Sequence, residues 1–496
     1  MPLLRTMEMS TEYFRFRRID RLLGEDGELE KQEIYFSDPA SLNDPLEGFR
    51  DVFWEGDKIV WKNLFRHYLR CVEHVYMLLL VGGEEHKITD DDVPMHIQVD
   101  SFPTDLYRDL FSKMYEEFVA DEFISDLTAR ISKRTTLVRR SELLFYLESM
   151  HIAALHYVRK TYAERGLSRQ ESDTSFYDSN QLKTEVCEKL STALEVQMAD
   201  SEHPDATACD FFSAHSHVRE QMLLIAKFNG VFSAEKKNTE YLISEFPGKY
   251  ISLLERLVFP SWYTACFISD FSNSSVWGHY AENHSGACLI FKSESDNGND
   301  YLPLRGVNGF GSTGDSYGTL KLAFQKIDYV TGYGEIDFFR SLGNVPLSTL
   351  NSSWHMDDGV FSECANEIRE NEAQWRNRYW SDFYRDIVKK SKDWEYEKES
   401  RLILSSTLDL YEEKEKRKLT YEFRFLSGII FGIKTSFDDK VQIMRVIEKK
   451  CADHGRDDFE FYQAFYDPER KCVSRTKLGL VRYANSSIKH GRKAHT

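Results

Sequence analysis

The stretch Trp394-Glu395-Tyr396-Glu397-Lys398-Glu399-Ser400-Arg401 sets three carboxylates at alternate positions just ahead of the apolar run Leu402-Ile403-Leu404. In an extended chain alternate residues share a face, so Glu395, Glu397 and Glu399 are expected side by side. Carboxylates crowded in this way hold protons more tightly unless a cation relieves them. Such a group suits proton transfer or the stabilisation of a developing positive charge. The plain alternative is a solvated edge strand in which Glu399 and Arg401 form an ordinary ion pair. Far upstream, Phe14-Arg15-Phe16-Arg17 alternates aromatic and basic residues, and a guanidinium grips anions through its planar fork. Between the two, Ser269 and Trp277-Gly278-His279-Tyr280 offer a hydroxyl, an imidazole and aromatic faces. Asp44 and Glu47, joined to the late glutamates, are donor types that a magnesium ion takes. His215 and His217 form an HxH pair with no nearby CxxC or ExxH companion, so an ordinary polar role is expected of them.

The chain carries 64 basic and 81 acidic residues in 496, a formal charge of −17. That balance opposes a general coating of nucleic acid, although a local basic patch remains compatible with it. Eight cysteines without CxxC spacing fit a reducing compartment. The N-terminus lacks the apolar core of a signal peptide, and the longest apolar run, Val75 to Val81, is too short for a bilayer. A soluble cytoplasmic protein of two or three domains is the expectation.

The elements that must position these residues can be read in order. Tyr13 to Ile19 and Glu33 to Phe36 read as strands, followed by the turn-rich loop Ser37 to Gly48, where Asn43-Asp44-Pro45 acts as a rigid turn. From Asp57 to Phe246 apolar residues recur four apart (Leu64, Tyr68, Val72, Tyr76; Leu106, Leu110, Met114, Phe118), predicting helix after helix. Within that block, Lys160 to Lys183 reads as a loop or linker. Ser261 to Ile268 and Ala287 to Phe291 read as strands around a short helix capped within Ser272 to Ser275. Gly306 to Gly318, with five glycines, reads as a mobile hairpin loop. Trp375, Tyr379, Phe383 and Ile387 mark a helix, Arg401 to Leu404 and Ile429 to Gly432 mark strands, and Ser436 caps a helix over Asp438 to Lys449.

Several of these pieces together resemble the bacterial domain-of-unknown-function family 2971. The matching pieces are Phe14-Arg15-Phe16-Arg17, Phe36-Ser37 with Asn43-Asp44-Pro45-Leu46-Glu47, and Cys266-Phe267 with Trp277-Gly278-His279-Tyr280-Ala281-Glu282-Asn283-His284-Ser285-Gly286. Trp394 to Leu402 and Ile429-Ile430-Phe431-Gly432 complete the pattern, in chain order. The helical block is longer than that family implies. The family label itself supplies no activity, but the order of the elements resembles ADP-ribosyltransferases. Those enzymes place a basic residue on the first strand, a hydroxyl or tyrosine on a middle element, and a late glutamate at a strand start.

The likeness implies an α+β fold, a bent mixed β-sheet core with a large helical insertion. Core residues would be 1–56 and 247–477, the insertion 57–246, and 478–496 a basic tail. It further implies NAD as substrate, transferred to a protein or nucleic-acid acceptor or hydrolysed, in a setting such as bacterial defence or a toxin. Glu399, Glu397 and Tyr280 would be catalytic. Arg17, Arg15, Ser269, Trp277 and His279 would bind the dinucleotide. The insertion would recognise the acceptor or form a homo-oligomer, with no role for a membrane. The competing expectations are a metal-dependent nuclease and a non-catalytic binding or sensor protein.

Overall fold

Ala287-Cys288-Leu289-Ile290-Phe291 is apolar at every position because the strand it forms is covered on both faces. It lies near the middle of an eight-stranded sheet in a computed structural model that describes residues 11–98, 101–168, 174–230, 235–312, 314–406 and 410–479. The strands of that sheet, numbered here in chain order, are β1 (Glu12–Arg17), β2 (Trp262–Ile268), β3 (Ala287–Lys292), β4 (Gln325–Lys326), β5 (Glu399–Ser405), β6 (Leu426–Phe431), β7 (Glu460–Asp467) and β8 (Cys472–Lys477). Their spatial order is β4-β5-β2-β1-β3-β6-β7-β8. All neighbours are antiparallel except β6 and β7, so the sheet is mixed and the fold is α+β.

Pairing register assigns side chains to faces. Phe14 lies opposite Ile268, and Ile268 lies opposite Glu399, so these three point to one side. Phe14, Phe16, Ile268, Cys288, Ile290 and Ile430 build a core there with Val276 and Trp277 of the short helix Ser274–Tyr280 and with Ala281 just after it. The other face carries Tyr13, Phe267, Leu289, Phe291, Leu402 and Ile429, covered by Ile443, Ile447 and Cys451 of the helix Phe437–His454. Both helix starts follow their capping residues: the Asn273 side chain accepts from Ser275 N–H and Ser436 accepts from Asp439 N–H.

The chain divides into two units, Met1–Phe49, Pro260–Tyr333 and Tyr384–Thr496 in one, and Arg50–Phe259 and Gly334–Phe383 in the other. The helical unit is therefore larger than the expected insertion 57–246. It takes up 334–383 because Glu335–Asp337 pairs in parallel with Asp51–Trp54, and because Tyr379 donates to the Val258 carbonyl at 2.8 Å. Its long helices include Lys58–Gly82, Asp105–Ala120, Arg140–Glu164, Thr174–Ala199 and Pro204–Phe228. The expected linker Lys160 to Lys183 is thus mostly helix; residues 169–173 lie outside the described residues.

Two further expectations are corrected. Gly306 to Gly318 is not a loop: Asn299–Gly311 and Gly314–Ala323 form one long antiparallel hairpin, with Gly306 opposite Gly318. Lys392 to Glu397 is a 3-10 helix rather than a strand, so Glu395 turns out to solvent. The basic tail lies outside the described residues from position 480. Among the described residues no helix is long and apolar enough to cross a membrane, and all eight cysteines are free.

Gly432 follows β6 against the turn at His284 to Gly286, where a Cβ would stand 2.2 Å from the His284 carbonyl oxygen. Gly432→Ala is expected to cost about 1–3 kcal/mol through forced backbone displacement. Gly309→Ala, which meets nothing within 4 Å, is expected to change stability little. Urea unfolding of the two variants checks the contrast.

Candidate functional site

The late glutamates meet at a lysine that no sequence motif marks. Lys390 lies on the strand Lys389–Ser391, which pairs in parallel with Asp328–Val330. Its Nζ donates to Glu397 Oε2 at 2.7 Å and Glu399 Oε2 at 2.8 Å, and sits 5.0 Å from the centre of the Trp394 ring. Arg401 closes the other side of Glu399, with Nε 2.7 Å from Oε1 and Nη2 3.2 Å from Oε2. Glu47, from the turn-rich loop, brings Oε1 to 2.5 Å from Arg401 Nη1 and Oε2 to 3.9 Å from Lys390. Tyr280 donates its hydroxyl to Glu397 Oε1 at 2.7 Å. All five charged side chains are buried, three carboxylates against two cations.

Local backbone explains how two glutamates separated by one residue reach a common partner. Lys398 between them is left-handed, with φ at 50°, a conformation that costs most residues about 1 kcal/mol or more. It is held by Ser269, whose backbone N–H and Oγ both donate to the Lys398 carbonyl at 3.1 Å, and by the ion pair of Lys398 with Asp270 at 2.9 Å. Glu399 N–H then donates to the Tyr329 hydroxyl at 2.8 Å.

Burial and charge act against each other here. Burial pushes the Glu399 carboxyl up, but Arg401 and Lys390 overcome it and hold the group down at about 2. Burial wins at Glu47, whose carboxyl is raised despite Arg401 and Lys390. The Tyr280 hydroxyl is pushed up by burial and then by Glu397, so it stays protonated and donates. Glu399 is therefore a fixed anion.

The structure brings together Glu397, Glu399 and Tyr280, sets Ser269 against the Lys398 turn between the two glutamates, and keeps Arg15, Arg17 and Trp277 out of the cluster. Arg15 and Arg17 alternate with Phe14 and Phe16, so they face the side of the sheet opposite Glu399. Arg17 is gripped by Glu28 at 2.6 and 2.8 Å, and the buried Arg15 donates to the carbonyls of Tyr35 and Cys266 over the Phe267 ring. Neither is a dinucleotide clamp at this site. Trp277 is wholly buried, edge-on to Phe16, with its indole N–H on the Phe271 carbonyl, and it is a core residue. Ser269 steadies the Lys398 turn. His279 is exposed at the rim, 6.2 Å from the Trp394 ring centre.

The Arg401 pairing with Glu399 was legible from their i, i+2 spacing, whereas Lys390 carried no signal. The magnesium alternative meets an obstacle of chemistry: ammonium and guanidinium nitrogens stand between the carboxylates that a cation would bridge. Among the described residues no group of three or more histidines, cysteines and carboxylates could hold a metal. His215 and His217 lie two apart on a helix and point to different sides. Comparison with protein-family models, curated proteins and solved structures finds no match to this chain.

A carboxyl whose pKa folding lowers adds stability above its ordinary value of 4.5 and loses it as pH falls toward 2. At neutral pH Glu399→Gln is expected to cost on the order of 3 kcal/mol. The wild type is expected to lose more stability than this variant between about pH 5 and pH 3. Urea unfolding at both ends of that interval measures the difference; equal losses would contradict a pinned, ionised Glu399.

Proposed function

We propose that the Glu397–Glu399–Tyr280 face is an ADP-ribosyltransferase-like centre that cleaves the nicotinamide–ribose bond of NAD. The single observation that carries this reading is the side-by-side arrangement of β1, β2 and β5. Three segments far apart in sequence meet there, with two glutamates and a tyrosine gathered where β5 begins and β2 ends. Heterolysis sends the bonding electron pair to the nicotinamide nitrogen and leaves oxocarbenium-like charge on the ribose. Glu397 faces that charge in a poorly hydrated setting. Water or an acceptor nucleophile then forms the new bond at the ribose carbon and yields its proton to Glu397.

Glu399 is a positioning residue in this scheme. Arg401 saturates it, and its remaining oxygen contact orients Lys390. Tyr280 holds Glu397 by its second oxygen. Trp394 and Tyr396, half-exposed beside the cluster, offer faces for a planar ring. The Lys390 ammonium occupies the place of a cationic substrate group, so the positive nicotinamide ring must displace it. Since Arg17 and Arg15 lie on the other face, the pyrophosphate has to be met by other donors. The mutual pairing of Glu397 and Glu399 with Lys390 and Arg401 also favours a second reading, a binding module whose charge cluster is purely structural.

The test is nicotinamide release from NAD by the full chain. Wild type is expected to turn over, Glu397→Gln to fall by about 100-fold or more, and Tyr280→Phe to fall less, all with unchanged circular dichroism. A folded wild type that releases no nicotinamide sinks the reading. Magnesium-dependent nicking of nucleic acid in its place would select the nuclease, and neither activity the binding module.

A further inference from the structure

The helix Pro204–Phe228 presents a face that the described residues of its own unit leave exposed. Val218, Met222, Leu224, Ile225 and Phe228 are each more than half exposed, Phe228 at 88 %. At 100° per residue these five fall within one arc on the outward side. Ala214, His217 and Gln221 fill the rest of that arc, and no Asp, Glu, Lys or Arg lies on it from Phe211 to Phe228. The charges of this stretch point elsewhere: Arg219 pairs with Glu148 and donates to the Ser244 carbonyl, while Lys227 pairs with Glu240 and Glu245. The half-buried His215, Arg219, Leu223 and Ala226 form the inward side.

We infer that this arc is a dimerisation seam whose occupant is the same helix of a second copy, running antiparallel. The spacing is the first reason. Phe211, Ala214, Val218, Gln221, Ile225 and Phe228 follow alternating steps of three and four, the pattern of a two-helix seam. The second reason is that the seam matches itself. An antiparallel two-fold sets Phe211 across from Phe228 of the second copy, the small Ala214 across from Ile225, and Val218 across from Gln221.

Area is the third reason. The five exposed side chains offer on the order of 600 Å² of apolar surface, the upper end of what an ordinary monomer leaves in its largest patch. Two copies together reach the lower end of specific interfaces, about 1,200 Å². Because the arc is uncharged, the −17 charge of each copy is not focused where the copies touch. A membrane surface fits less well: helices that lie on bilayers flank their apolar face with free Lys and Arg, and here both basic residues are engaged.

Sedimentation equilibrium and light scattering of the full chain test the inference, with circular dichroism as the folding control. Wild type is expected to be dimeric at about 10 µM. Ile225→Glu is expected to weaken dimerisation by about 100-fold or more, and Met222→Ser, milder and at a wholly surface position, by about tenfold. Gln221→Leu, which removes a polar residue from the seam, is expected to tighten it. Leu106→Glu, at an equally exposed leucine on the helix Asp105–Ala120, is expected to leave the dimer as it is. A wild type that stays monomeric to about 100 µM overturns the inference. So does a dimer indifferent to Met222→Ser and Ile225→Glu.

Discussion

Five buried charges hold the part of the molecule on which any functional reading depends. Glu47, Lys390, Glu397, Glu399 and Arg401 come from a turn-rich loop, a short parallel strand, a 3-10 turn and the first residues of β5. None of these segments is long enough to hold its own conformation, and the ion pairs tie them into one arrangement. Such clusters add little net stability over an apolar core, but losing one partner strands a charge away from water. The cluster acts chiefly as a geometric lock, and its surplus negative charge gives it a chemical bias toward cations.

The same cluster rests on the two-sided character of the large sheet. β2 and β5 send one set of residues into the aromatic core beneath the helix Phe437–His454 and the alternate set toward Trp277 and the glutamates. A shift of one residue in register would exchange the two sets. Continuous pairing from Glu399 opposite Ile268 to Ser405 opposite Trp262 prevents it. Ser269 matters for the same reason: it fixes the Lys398 carbonyl where the strand ends, and so decides where Glu397 points.

The helical unit follows a different logic. Its helices bury Leu64, Tyr68 and Val72, or Leu110, Met114 and Phe118, as their four-residue spacing requires. Several polar groups inside it are answered in place: Glu73 accepts from Tyr107 and Tyr162, and His67 and His151 each meet a tyrosine hydroxyl on one ring nitrogen and a backbone carbonyl on the other. Against that background the apolar outward arc of Pro204–Phe228 stands apart, because no described residue of its own unit covers it.

Much of this was legible in the residues themselves. Periodicity marked the helices, apolar runs marked β3 and β6, the polar run Ser272 to Ser275 and Ser436 announced their helices, and alternation put Arg401 beside Glu399. These are local properties, set by side-chain spacing along a backbone of fixed pitch. Other features depended on where distant segments paired. The face on which Arg17 would lie relative to Glu399 depends on the β1–β2–β5 register, and the glycine-rich stretch became strand because Gly318 found Gly306 opposite. Lys390 became the centre of the charge cluster only when its strand docked beside Asp328–Val330. Sequence by itself determined the strongly periodic helices, the apolar strands and which residues could carry charge to a site; tertiary pairing alone decided which charges meet, because a side chain's partner is set by the neighbouring strand and not by its own.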